Sequence, residues 1–456
     1  MNDDEKFHHE LRATLDGLAR EPAPERLVAR VSEIPSREPS RLNHGIHFRV
    51  SPKGSSSGYG LLAAGVAIVM LAVLVRPGAG PSPVGGSPSL GIVQTGSPSS
   101  VVPSSSAVVI GAPTPKLADA PVPAGFEPTS ATFVSADEGW VLGSVPCDAT
   151  RCPAIVRTED GGATWSSIPA PRTTVGSGSG SVQAGGSGIS SIRVADRLNG
   201  WTFGPELWAT HDGGATWARL VIDELPTGAT VTALETADGK VQAVLYDAAQ
   251  DFRIASSAVG IDVWRVASVR VPVGAGPVPQ TQLVLSGAGG WVLENDRVVT
   301  AGATLDAGTW RSWPPVCLDV VGPAVLGASS SSDLVAVCDV GLWGNPKGEH
   351  LFASKDGGAT FAETGTRPPI SSAVALATPD RSTIVIAGND KNGAALVASF
   401  DGGQTWRTAS HPAAASFADL GFTTATQGVV IATDERGADH LLMTHDAGLT
   451  WTPVAF

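Results

Sequence analysis

Beyond residue 125 the apolar residues fall into short runs, rich in β-branched and aromatic side chains and bounded by Gly, Pro, Asp or Ser. That punctuation predicts strands. SATFVS, GWVLGSV, AIVRTE and ATWSSIP follow one another between residues 130 and 169 and predict four successive strands. Upstream the pattern changes. Residues 58–75, GYGLLAAGVAIVMLAVLV, have no polar face, and no charge lies between Lys53 and Arg76. At a rise of about 1.5 Å per residue this run nearly crosses a bilayer core of about 30 Å, so a membrane helix is expected. A cleaved signal would need a short basic leader, whereas 57 residues come first here. Within residues 1–57, Leu11, Leu15 and Leu18 recur at helical spacing, and Leu27, Val28 and Val31 suggest a second short helix. Residues 76–124 contain 10 Pro, 9 Ser and 7 Gly. They read as a disordered linker, spanning roughly 40 Å as a coil. Within it, SAVVIGA (106–112) is a candidate extra strand.

The strand region repeats. TEDGGATW (158–165), THDGGATW (210–217), SKDGGATF (354–361), SFDGGQTW (399–406) and THDAGLTW (444–451) share an acidic turn and an aromatic end. Their aspartates, Asp160, Asp212, Asp356, Asp401 and Asp446, are spaced by 52, 144, 45 and 45 residues. The long gap holds two degenerate copies, SSAVGIDVW (256–264) and LDAGTW (305–310), so the region divides into seven units. EGWVLG (138–143), NGWTFG (199–204) and GGWVLE (289–294) echo the same register. Units of this length match a four-stranded blade, and residues 125–456 are expected to form an all-β, seven-bladed β-propeller. Asp-Gly-Gly is a tight hairpin turn, in which the carboxylate accepts hydrogen bonds from its own loop. Trp165, Trp217, Phe361, Trp406 and Trp451 then sit at the start of the following strand, where a ring covers the blade edge. Five equivalent copies around a ring cannot share one active site, so these residues are expected to be structural.

Charge sets the orientation and narrows the partners. Arg41, Arg49 and Lys53 precede the apolar span, and only Arg76 follows it closely. The positive-inside rule places the N-terminus in the cytoplasm and the propeller outside the cell membrane. Gly60 and Ala64 have the spacing of packed membrane helices. Residues 125–456 carry 19 basic against 33 acidic side chains, which argues against nucleic acid as a partner. Cys147, Cys152, Cys317 and Cys338 all fall in this part. Two disulfides are expected, with 147–152 and 317–338 the local pairing; four free thiols are the alternative. His8 and His9 are adjacent, point about 100° apart on a helix, and read as surface residues. No metal-ligand spacing, nucleophile elbow or phosphate loop is recognised, so neither catalytic residues nor a cofactor is predicted.

The octets resemble the Asp-box, or BNR repeat. The first unit is similar to propellers related to photosystem II stability and assembly factors and to sialidase-like repeat proteins. The resemblance implies the fold. For sialidases it also implies three arginines, a Tyr/Glu pair, an Asp acid/base and an Arg-Ile-Pro motif. This chain has only Tyr59 and Tyr246, and FRIA (252–255) lacks the proline. The cytoplasmic piece faintly resembles the tails of membrane-anchored anti-sigma factors, without their zinc-binding His/Cys pattern.

In a four-stranded blade the Asp-box turns all mark one face. The loops between second and third strands mark the other, where binding residues are expected. The candidates there are Tyr246, Trp343, Lys347, His350, Lys391, Arg436 and His440. The function expected is a membrane-anchored, non-enzymatic binding or assembly module for an extracellular protein or glycan. A sialidase-like glycoside hydrolase and a transmembrane sensor are the alternatives.

Overall fold

The computed structural model describes residues 120–456 apart from 149, 177–185, 224, 226–228, 248–250, 273–280, 295–301, 315, 317–323, 340–347 and 365. The cytoplasmic helices, the membrane segment, most of the linker, Trp343, Lys347 and Cys317 lie outside the described residues. Among the described residues no helix is long and apolar enough to cross a membrane.

The strands form seven four-stranded antiparallel sheets, each built from four strands consecutive in the chain. Blade 1 is β1 (Glu127–Phe133), β2 (Gly139–Cys147), β3 (Thr150–Thr158) and β4 (Ser166–Ile168). The first strands of the other blades are β5 (Ser191–Val194), β9 (Thr230–Ala237), β13 (Thr281–Ser286), β17 (Ala324–Ala328), β21 (Ser372–Ala377) and β25 (Ser416–Phe422). First strands of neighbouring blades lie side by side around a central channel. Fourth strands lie outside, and several are two-residue stubs with both residues exposed, such as β8 (Ala218–Arg219) and β24 (Arg407–Thr408).

Second strands are buried on both faces because each blade packs against two neighbours. This accounts for the lack of alternation in GWVLG, GWTFG and GGWVLE. Trp140, Trp201 and Trp291 of those runs are at most 3% exposed. The apolar core is divided into seven clusters, one at each blade boundary. The cluster of Ala131, Val141, Val156, Val429, Ile431, Leu441 and Met443 joins the last blade to the first. Among the described residues the ring therefore closes by side-chain packing, with no strand exchanged between the terminal blades. Phe456 seals the seam against Phe126 and Trp165, with ring centroids 4.9 and 5.2 Å apart.

Candidate binding face

Antiparallel order puts the turns after first and third strands on one face, and the turns after second strands on the other. The Asp-boxes occupy the first of these. In the second box the Thr216 N–H donates to Asp212 Oδ1 at 2.9 Å, and the Thr216 and Thr210 hydroxyls donate to Oδ2 and Oδ1 at 2.6 and 2.8 Å. The Gly214 N–H donates to the Thr210 hydroxyl at 2.9 Å. The same set recurs around Asp160, Asp356, Asp401 and Asp446. Bonds from Thr360 and Ser354 hold the Asp356 carboxyl down at about 2, and Thr405 with Ser399 does the same for Asp401. Each carboxylate is consumed by its own turn.

Each box also docks on the turn after the first strand of its blade. The N–H groups of Gly161, Gly213, Gly357, Gly402 and Ala447 donate to the carbonyls of Asp137, Leu198, Ser332, Ser382 and Thr426. Those receiving turns are capped by Ser135, Asp196, Ser330, Asp380 and Thr424, whose side chains accept backbone N–H groups two and three residues on. Sequence reasoning missed this second set of turn residues. The second glycine of a box seals the blade boundary. At Gly403 (φ +87) an added Cβ would lie 2.2 Å from Leu351 of the preceding blade. The aromatic ends behave differently from box to box. The indoles of Trp165 and Trp451 donate back to Gly162 and Gly448, and that of Trp217 donates to Pro169. The indole of Trp406 has no partner, and Phe361 packs on Trp313.

Blades 3 and 4 lack full boxes, and the turns after their first strands are reduced to Asp238-Gly239 and Gly287-Ala288. Box and receiving turn are absent together in these two blades. In blade 3 the degenerate turn places Asp262 Oδ2 2.6 Å from His211 Nε2, while Asn199 Oδ1 lies 2.7 Å from Nδ1. That histidine ties blade 2 to blade 3.

On the opposite face the candidates separate into two groups. Lys391 and Arg436 are exposed at the tips of neighbouring hairpins in blades 6 and 7, and His440 is exposed at the start of β27 (Asp439–Thr444). Their backbones are held from within. Asp434 accepts the Arg436 and Ala438 N–H groups at 2.8 and 3.0 Å and faces His440 Nε2 at 3.3 Å, while Asp390 accepts the Asn392 N–H at 2.6 Å. Tyr246 and His350, by contrast, are not loop residues. Tyr246 closes β10 (Lys240–Tyr246), is 4% exposed and stacks on Phe252. His350 lies inside β19 (Glu349–Ser354), 7% exposed, with Nδ1 on Glu363. The apolar runs extend further into both hairpins than their polar flanks suggested. Cys147 and Cys152 form a disulfide across the β2–β3 hairpin of this face. Cys338 is also disulfide-bonded.

Beneath both faces, the channel holds a charged triad. Arg193 of β5 donates from Nε to Glu235 Oε1 at 2.7 Å and from Nη2 to Asp419 Oδ1 at 2.9 Å. Its Nη1 donates to the Ile192 carbonyl at 2.8 Å and to Ser130 Oγ at 3.3 Å. Asp419 Oδ2 accepts the Ala131 N–H at 2.7 Å. Burial pushes the Glu235 carboxyl up, opposed by Arg193 and reinforced by the charge of Asp419. Another carboxyl, Glu349, is pushed up to about 7, chiefly by burial and further by Asp339. Among the described residues no group of three or more His, Cys, Asp or Glu is placed to hold a metal.

No family model matches the chain, and no curated protein matches it. Solved propellers do. YCF48 bound to D1 peptide is 19% identical, with a TM-score of 0.47 over 72% of this chain and 95% of that one. A puromycin-hydrolyzing peptidase from Mycobacterium tuberculosis is 12% identical, with a TM-score of 0.50 over 74% of this chain and 56% of that one. The BP39L lectin from Burkholderia pseudomallei is 14% identical, with a TM-score of 0.46 over 72% of this chain and all (100%) of that one. At these identities the likeness concerns the β-propeller fold alone.

Proposed function

We propose that this chain is a non-enzymatic binding or assembly module for an extracellular protein or glycan. In this reading residues 58–75 anchor it, with the propeller outside the cell membrane. The observation that carries the reading is the division of labour between the faces. On one face the recurring carboxylates are spent on their own turns. On the other, Lys391, Arg436 and His440 stand exposed on hairpins braced by Asp390 and Asp434. A rigid frame spares the backbone part of the ordering cost of binding. A glycoside hydrolase needs carboxyls that reach substrate. Glu349, whose carboxyl is held near 7, is only 1% exposed.

The test is turnover. The full-length protein in detergent is incubated with fluorogenic sialosides and with glucan and xyloglucan substrates. No hydrolysis is expected. Hydrolysis that disappears on replacing one carboxylate of the hairpin-tip face would overturn the binding reading.

A further inference from the structure

The channel formed by the first strands holds a solvent-open cavity of about 420 Å³. That is within the range of small-ligand sites, roughly 300–1,000 Å³. Its wall includes aliphatic and aromatic side chains such as Val284, Leu285, Leu420 and Phe422, and among the described residues its charged members are Arg193 and Glu235.

The charges do not balance. Arg193 spends four of its five N–H donors on Glu235, Asp419, Ser130 and the Ile192 carbonyl. Asp419 has one oxygen on Arg193 and the other on the Ala131 N–H. Glu235 uses only Oε1, and its side chain is 31% exposed. Counted as formal charges, two carboxylates against one guanidinium leave one negative charge over, and Glu235 Oε2 is a carboxyl oxygen without a protein partner among the described residues. A second unsatisfied polar group lies buried behind the same wall. Thr378 is 9% exposed and its hydroxyl has no partner.

We propose that the central channel binds a primary alkylammonium group, with Glu235 Oε2 as its counter-ion and the aliphatic wall around its stem. A guanidinium already fills the place between the two acids, so the incoming cation meets Glu235 from the lumen side. An ammonium supplies three donors on a narrow stem, which suits a single carboxylate oxygen better than the planar fork of a second guanidinium does. The upward push on the Glu235 carboxyl fits a charge in need of a partner. The site is independent of whichever partner the hairpin-tip face takes.

The probe is n-pentylammonium chloride, titrated calorimetrically into the full chain in detergent at low salt, with 1-pentanol as the neutral control. The expected result is one saturable site for the ammonium and none for the alcohol. Glu235→Gln should weaken it at least tenfold, and Glu435→Gln, on an exposed turn, should leave it unchanged. Hydrogen exchange of residues 230–237 in the unaltered protein gives a second readout that does not depend on a variant folding. The ligand should protect that strand. Absence of saturable binding, equal binding by a folded Glu235→Gln variant, or protection elsewhere with none at 230–237 would each overturn the proposal.

Discussion

Asp419 and Arg193 are 226 residues apart in sequence, yet their side chains meet at 2.9 Å in the centre of the ring. Asp419 sits in a bulge of β25 with φ +51, a conformation rarely adopted by residues other than glycine. From there one carboxylate ties blade 7 to the Ala131 N–H of blade 1 and to the guanidinium of blade 2. Among the described residues the terminal blades exchange no strand, and this contact and the apolar cluster beside it help hold the ring shut.

Asp419→Ala strands a backbone N–H and removes one of the two acids on Arg193. A loss of roughly 2–3 kcal/mol is expected. Asp419→Asn keeps an acceptor for Ala131 and should lose less. Chemical denaturation checks both, and equal effects of the two variants would count against the geometry.

The Asp-box aspartates should matter for stability and leave binding intact. Asp212→Ala removes acceptors for three donors and should cost about 1–2 kcal/mol. Melting temperature and partner binding are measured together. A variant with unchanged melting that has lost binding contradicts a structural role.

The fifth box carries a built-in cost. Ala447 occupies the position that glycine takes in the other four, at φ +61, and left-handed backbone disfavours a Cβ. Ala447→Gly should raise stability by about 0.5–1 kcal/mol. A decrease would show that the alanine methyl makes compensating contacts.

Glu349 predicts a pH dependence of unusual sign for a carboxyl. Its value rises from 4.5 to about 7 on folding, so the folded chain binds the proton more tightly. Stability is therefore highest below about 4.5, falls as pH rises towards 7, and stays low above it, by about 3 kcal/mol. The Asp-box acids, with lowered values, contribute a slope of opposite sign at more acid pH. Asp339 lies directly across the ladder from Glu349, and Asp339 Oδ1 and Glu349 Oε2 both lack partners. Glu349→Gln supplies an N–H to that pair while keeping the acceptor for the Ala373 N–H. It should flatten the slope between pH 5 and 7 and stabilise the protein at pH 8. An unaltered slope would assign the effect elsewhere.

The ring was legible in the sequence because its turns solve the same local problem five times, and glycine, aspartate and threonine are the residues that solve it. The two degenerate units were recoverable from spacing alone. The caps of the receiving turns, Ser135, Asp196, Ser330, Asp380 and Thr424, stayed hidden because the hairpin between cap and box varies in length, so no fixed offset exists. The burial of Tyr246 and His350 was obscured by the polar residues beside them. The Asp419–Arg193–Glu235 triad left no local signature, since its members come from blades 7, 2 and 3 and only closure of the ring brings them together.

The division between a structural face and a binding face can be tested in the native membrane. A photo-crosslinking side chain is placed at Lys391 or Arg436 on the hairpin tips, and at exposed Lys355 in the third Asp-box. A specific adduct from positions 391 and 436, with none from 355, is the predicted result. Adducts confined to position 355 would place the partner on the wrong face and contradict it.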